Sequence, residues 1–361
     1  MRVIYSFNKK GFEEQYWLRE LACRRGDDEI IPFNHGRYFD CGRAMRAQLL
    51  DNLYFARDAS LMALYDHVEK LIAETGADCL VVDNALPYHP EFLRRLGVYK
   101  VMRTTDGPIS AYDRDFAYCH GYDHVVYHSP AYSPELNMAE KLAYVGAKRA
   151  DFWPLAAFDE MFHPERSETE LFDRDRDIDI IFVGGMFLNK MPVLAGIKKA
   201  FGRRAMLRGL SNFKANAYFN LKYGFPGWVR PIPFEEYVTL YQRAKIGINV
   251  HNRGKYTIGN YRLFDLPANG VMQICDGDEY LADYYRVGEE VVGYSSTDEL
   301  IDKVRYYLDN GEERERIARN GYRRVLASHR IRTRLHELLD LLGQAIAASS
   351  SRTETAQPAV R

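Results

Sequence analysis

The stretch Ile246–Cys275, IGINVHNRGKYTIGNYRLFDLPANGVMQIC, decides how the chain is read. Its two ends, Ile246–Val250 and Val271–Cys275, are apolar, β-branched runs of buried-strand length. Between them lie a polar loop, His251–Gly259, and then a predicted helix over Asn260–Gly270. On that helix Arg262 and Asp265 are three residues apart and Asn269 lies four beyond, so all three share one face. Leu263, Phe264 and Leu266 are left to pack inward. A helix laid with its apolar side on a parallel sheet aims such a polar face at the carboxyl ends of the strands, where open α/β sheets bind ligands. An Arg–Asp surface pair on an ordinary helix fits the same spacing, and the local pattern does not choose between the two. Pro267 cannot donate to the carbonyl of Leu263, so the helix is expected to kink there or to be shorter than drawn.

Working outward, the chain alternates strands and helices on both sides of this stretch. Val3–Ser6, Glu29–Phe33, Cys79–Asp83, Val98–Arg103 and His124–His128 read as strands. Helical spacing runs through Phe12–Arg25 and Ser60–Thr75 between them. After a charge-dense, core-poor segment at 161–177, read as a linker, the alternation restarts with Asp177–Val183, which runs into Gly184-Gly185. Helices are expected over Lys190–Phe201, Phe213–Tyr223 and Phe234–Ala244. Ser296 and Glu299 form a capping box ahead of three C-terminal helices. Strands of nearly continuous apolar residues separated by helices imply parallel sheets covered on both faces. The expected domains are 1–160, a linker 161–177, 178–347 with the C-terminal helices, and a disordered tail 348–361, low in hydrophobes.

Length and composition bound the function. A chain of 361 residues exceeds the size at which one core keeps growing, so two domains are expected. A formal net charge of −1 argues against a nucleic-acid binder that relies on a general basic field. The five cysteines are scattered and never in a CxxC spacing, as suits reduced, mostly buried thiols in a cytosolic protein. The first residues turn polar quickly and read as a strand rather than a signal peptide. No apolar run approaches bilayer-spanning length, although shallow attachment to a membrane surface stays open as a peripheral contact.

Several residues are candidates for chemistry, each with a plainer reading beside it. Gly184-Gly185 follows a strand and precedes a helix, where backbone N–H groups can approach a phosphate; a tight strand-to-helix turn needs the same residues. Lys190 can meet a phosphate as a point charge or be solvated. Arg262 suits a diphosphate and Asp265 the vicinal hydroxyls of a ribose. Arg230, before Pro231, lies in a rigid loop that can flank a base or only connect elements. His251 and Lys255 can face a diphosphate from the polar loop or stand exposed. Asp83 and Asp106 end strands of the first domain, where a general base would sit, or else cap a helix or turn. No GxGxxG fingerprint, GxSxG elbow, HExxH or P-loop occurs.

NYRLFDLPANGVMQIC, followed by GEEVVGYSSTDELIDKVRYYL and ERERIARNGYRRVLASHRIRTRLHELL, resembles the glycosyltransferase family-1-like domain of CgeB-type spore-maturation proteins and their bacterial relatives. DIDIIFVGG, YVTLYQRAKIGINVH and YDHVVYHSP also fit, so the similarity spans about Val98–Leu342. The resemblance implies an α/β fold of GT-B type: two Rossmann-like domains facing each other across a cleft, the nucleotide-sugar donor held mainly by the second. It places the family's ribose-binding glutamate at Asp265, one methylene shorter, and the family arginine at Arg262. Gly184, Gly185, Lys190, Arg230, Lys255 and Asn260 would line the donor site, and Asp106 stands where relatives carry an Asp-Asp-Pro turn.

The expectation is a cytoplasmic, metal-independent glycosyltransferase with no cofactor besides its nucleoside-diphosphate-sugar substrate. The acceptor would be a glycan, a lipid-linked molecule or a small molecule. A non-catalytic nucleotide-sugar or glycan binding or scaffold protein of the same shape, and a GT-B sugar epimerase, are the alternatives.

Overall fold

Apolar strands separated by amphipathic helices build two parallel sheets, each in its own unit of this computed structural model. It describes residues 1–45, 47–104, 115–133, 135–163, 167–209, 212–233, 236–252 and 258–355. The first unit takes Met1–His128, Leu136–Pro154 and Ile331–Arg361; the second takes Ser129–Glu135 and Leu155–Arg330.

Seven strands form the first sheet: β1 (Arg2–Phe7), β2 (Cys23–Arg25), β3 (Asp28–Asn34), β4 (Cys79–Asp83), β5 (Tyr99–Thr104), β6 (His124–Tyr127) and β7 (Ala150–Phe152). Their order is β2-β3-β1-β4-β5-β6-β7, and among these pairs only β2 with β3 is antiparallel. The first strand of that hairpin, β2, lies inside what the spacing predicts as helix to Arg25. Gly26, at φ 60°, lets the chain reverse and pair Cys23 with Ile30, so the helix ends at Leu21. The helix Ala59–Thr75 is held at both ends, by Asp58 accepting from the Leu61 N–H at 3.1 Å and by left-handed Gly76. It buries Leu61, Leu64, Tyr65 and Val68.

Asp83, a candidate base by position, is a buried structural partner instead. Its Oδ1 accepts from the Tyr5 hydroxyl at 2.9 Å and from Arg103 Nη1 at 3.1 Å, tying together β1, β4 and β5. The Arg103 guanidinium also lies 4.5 Å over the Trp153 ring. Asp106 lies outside the described residues.

The second sheet is wholly parallel: β8 (Ile178–Val183), β9 (Ala205–Arg208), β10 (Ala244–Asn249), β11 (Met272–Asp276) and β12 (Val292–Tyr294), in the order β12-β11-β10-β8-β9. The chain steps from β8 outward to β9, then returns to the other side of β8 as β10. The winding therefore reverses between β8 and β10, and a crevice opens at the carboxyl ends of such a pair. The helix Arg262–Ala268 links β10 to β11 and buries Leu263, Phe264 and Leu266 as expected. It lies so close to the sheet that a Cβ on Gly247 would stand 2.5 Å from a Leu266 methyl. Pro267 does not break it, because the Leu263 carbonyl finds other donors, Gln273 Nε2 at 3.1 Å and the Tyr285 hydroxyl at 3.0 Å.

Two expectations about organisation meet a different arrangement. Leu171 and Phe172, in the segment read as a linker, belong to the core of the second unit. Arg176 donates from the same segment to the carbonyls of Tyr241, Ala244, Leu171 and Asn269. The segment is thus charged at its surface and anchored beneath. The last helix, Ile331–Thr355, belongs to the first unit, where it packs on the helix Phe12–Leu21 and on β2. The Trp153 indole donates to its Arg334 carbonyl at 2.8 Å. This helix continues into the tail read as disordered, and residues 356–361 lie outside the description. No helix among the described residues is long and apolar enough to cross a membrane.

Removing one member of the buried pair should be worse than removing both. Asp83→Ala is expected to cost about 3–5 kcal/mol in urea unfolding, with part recovered in Asp83→Ala/Arg103→Met. Equal midpoints for wild type and Asp83→Ala would rule out this role.

Candidate functional site

Where the second sheet reverses its winding, Arg262 reaches across the ends of two strands. Its Nε donates to the Val183 carbonyl at the end of β8, at 2.7 Å, and its Nη1 to Asn249 Oδ1 at the end of β10, at 3.0 Å. The guanidinium lies 4.5 Å over the Phe182 ring. Asn260 fixes the start of the helix that carries it. Asn260 Oδ1 accepts from the Leu263 N–H at 3.0 Å, and its amide donates to Asn249 Oδ1 at 2.9 Å. Asn249 donates in turn to Gln273 Oε1 at 3.0 Å, and Gln273 Nε2 closes the loop on the Leu263 carbonyl. Every member of this amide network is bonded to another, which fixes the helix against β10 and β11.

The glycine turn is shaped by this arginine. A Cβ on Gly184, at φ 155°, would stand 1.8 Å from Arg262 Nη2. On the other side a Cβ on Gly209 would meet the Gly184 carbonyl oxygen at 1.9 Å. Gly185 faces the Phe187 ring, 2.6 Å from where a Cβ would be. Arg230 is exposed on the neighbouring loop, its carbonyl accepting from the Gly209 N–H at 3.2 Å.

Lys190 immediately precedes the helix Met191–Phe201 and is only 3 % exposed. Its Nζ lies 5.7 and 5.3 Å from the ring centres of Phe182 and Phe187. Burial first, then the Arg262 charge, pushes its pKa down to about 7. Among the described residues neither Lys190 nor Arg262 has a salt-bridge partner. The carboxylate that bears on Lys190, Asp276, is taken up by the His251 N–H and ring. Two crowded cations without a counter-charge are costly, and an anion entering the turn would relieve both. A guanidinium and an ammonium side by side are cationic donors of the kind that hold a phosphate or diphosphate.

Asp265, one turn along from Arg262, is 6 % exposed, and the Tyr237 hydroxyl points at its Oδ2 from 3.4 Å. Burial raises its pKa to about 7, against the opposing pull of Tyr237 and Arg262. Asn269, expected on the same polar face, is turned away: its amide donates to the carbonyls of Met161 and Asp265, and its Oδ1 accepts from Gln242. It ties down the helix end instead.

His251 is neither exposed nor aimed at a ligand. Its Nε2 accepts from the Gly259 N–H at 3.1 Å, so the proton is on Nδ1, which donates to Asp276 at 2.6 Å. His251, Cys275 and Asp276 gather their donor atoms within 4.8 Å, as a metal site would. Both ring nitrogens are engaged, however, and burial holds the Cys275 thiol in its protonated form. The trio works as a clamp on the loop after β10. Lys255 lies outside the described residues. Asn249 and Gln273 carry one local signal, an amide inside each of two otherwise apolar strands, IGINV and VMQIC, and Phe182 carries none.

Residues 198–340 match the family model described as Glycosyl transferase-like. No curated protein matches the chain. Among solved structures, sucrose-phosphate synthase from Thermosynechococcus elongatus is 13% identical, with a TM-score of 0.59 over 96% of this chain and 99% of that one. A glycosyltransferase from Rickettsia africae is 11% identical, with a TM-score of 0.61 over 96% and 98%. HepE of Anabaena, solved with UDP and glucose, is 8% identical, with a TM-score of 0.60 over 95% and 100%. The fold is therefore GT-B-like over nearly the whole length, two Rossmann-like α/β units in series.

The fit between Gly184 and Arg262 can be measured. Gly184→Ala is expected to cost about 1–3 kcal/mol of stability, as overpacking does. Arg262→Ala in the same chain should remove most of that cost, giving a coupling energy in a double-mutant cycle. Additive effects would mean that the two do not meet.

Proposed function

We propose that this protein is a glycosyltransferase that moves a sugar from a nucleoside-diphosphate donor to a glycan, lipid-linked or small-molecule acceptor. The observation that carries the proposal is the buried Lys190 ammonium beside Arg262, without a carboxylate partner among the described residues, at the winding reversal of the second sheet. In this proposal Lys190 and Arg262 hold the diphosphate, and the backbone at Gly184 and Gly185 approaches it closely. Asp265 receives the ribose hydroxyls, Asn260 sets the helix start, and Arg230 and Lys255 border the donor. As the sugar leaves, charge builds on the diphosphate. Preorganised cations and N–H groups stabilise that charge without a metal. Asp106 is the proposed base for the acceptor hydroxyl. HepE of Anabaena is solved with UDP and glucose and with UDP-glucose, which supports a nucleotide sugar as the ligand class.

Asp265→Ala should weaken nucleotide-sugar binding at least tenfold, or about 1.4 kcal/mol, in calorimetry while the melting transition is kept. Unchanged affinity removes the ribose role. Incubation with a panel of UDP-, GDP-, dTDP-, ADP- and CMP-linked sugars then distinguishes the reactions. Transfer or slow donor hydrolysis supports a transferase, and an epimerised sugar released without acceptor overturns it.

Lys190 supplies a pH signature. Its pKa of about 7 lies below the ordinary lysine value, so the charge that attracts phosphate is present below that pH and lost above it. Affinity for UDP-glucose, whose diphosphate does not titrate in this range, is expected to fall by up to about tenfold per pH unit above neutrality. Lys190→Arg, which keeps its charge, should flatten the profile.

A further inference from the structure

In a chain of 49 basic and 50 acidic residues, the segment from Gly184 to Phe234 holds nine Lys and Arg and no Asp or Glu. Within it the helix Phe213–Tyr223 turns a wide face to solvent. That face consists of two adjacent rows at i, i+4, i+8 spacing: Phe213, Ala217 and Leu221 in one, Lys214, Tyr218 and Lys222 in the other. Phe213 is 72 % exposed and Leu221 88 %. Trp228, half exposed at the Pro226-Gly227-Trp228 loop, meets the Phe213 ring at 5.2 Å. The loop is held to the helix by Asn220 Nδ2 donating to the Gly227 carbonyl at 3.0 Å and by the Val229 N–H donating to Asn216 Oδ1 at 2.9 Å. Lys222 Nζ stands over the Tyr218 and Tyr223 rings, and Lys199 Nζ lies beside Gly224 at the helix end. Among the described residues Lys199, Lys214 and Lys222 have no carboxylate partner.

We infer that this face docks on an anionic bilayer surface. A wide exposed apolar row is unfavourable in water and favourable in the region between headgroups and acyl chains. Trp and Tyr suit that depth, having an apolar ring and a polar edge. The lysines beside the apolar row can lay their stems along it while their ammonium groups reach lipid phosphates. The segment itself brings no carboxylate to oppose a negative surface. The inference does not depend on the sugar-transfer proposal, since none of these side chains is assigned to the donor.

The test is flotation of the full chain with vesicles of phosphatidylcholine alone and vesicles rich in phosphatidylglycerol. The chain should float with the anionic vesicles only, and raised salt should release it. Lys214→Glu/Lys222→Glu should lower the bound fraction about tenfold, and Phe213→Ser/Leu221→Ser by a similar factor. Both pairs are exposed, so circular dichroism melts should match wild type; the lysine pair alone decides if the apolar pair unfolds. Trp228 fluorescence should shift to the blue on binding. Failure to float, equal binding to neutral vesicles, or full binding by the lysine variant would each overturn the inference. So would retention of the chain on RNA or an acidic protein instead of the vesicles.

Discussion

One guanidinium ties together the strand ends of the second unit. Arg262 bonds the last carbonyl of β8 and an amide at the end of β10, and so spans the gap where the winding reverses. Its position dictates much around it. Gly184 has no space for a Cβ, Gly209 must press on Gly184, and Asn249 must present an oxygen rather than a hydrocarbon. The helix bearing Arg262 can lie so near the strands because Gly247 admits Leu266. Its proline is tolerated because Gln273 and Tyr285 serve the carbonyl that Pro267 leaves without a helical partner.

The two units make opposite use of an arginine at the strand ends. In the first, Arg103 meets Asp83 and Tyr5, and the charge is balanced inside the protein. In the second, Arg262 donates to neutral oxygens, the Val183 carbonyl and Asn249 Oδ1, and Lys190 stands beside it near the same aromatic ring, that of Phe182. Burial without a carboxylate lowers the Lys190 pKa and leaves the crevice short of negative charge. A balanced pair is a structural device. An unbalanced one costs stability unless a ligand completes it, which is how binding sites are kept ready.

Carboxylates near the site are handled with equal economy. Asp276, at the end of β11, is hydrogen-bonded to His251, so it does not pair with Lys190 directly, although its charge acts on that lysine. Asp265 is deeply placed and its pKa is raised, so at neutral pH it does not bring a full negative charge to the same crevice. The unit thus keeps a positive site while carrying two acidic residues at its edge.

What the sequence determined by itself was whatever depends on local pattern. Buried runs such as CLVVD and IGINV announce strands because a two-sided sheet needs apolar residues on both faces, and the helix Phe213–Tyr223 was legible in full. Arg262, Asp265, Asn260, Lys190 and the glycine pair were legible as candidates from spacing and from strand-to-helix position. Tertiary structure decided which charges meet. Lys190 as a buried cation, His251 clamped by Asp276, Asn269 turned inward and Asp83 neutralised by Arg103 all depend on partners at least 20 residues away, whose approach no local spacing encodes. The return of the last helix to the first unit has the same cause. An amphipathic helix reveals which of its faces must be covered, and only the assembled core supplies the surface that covers it.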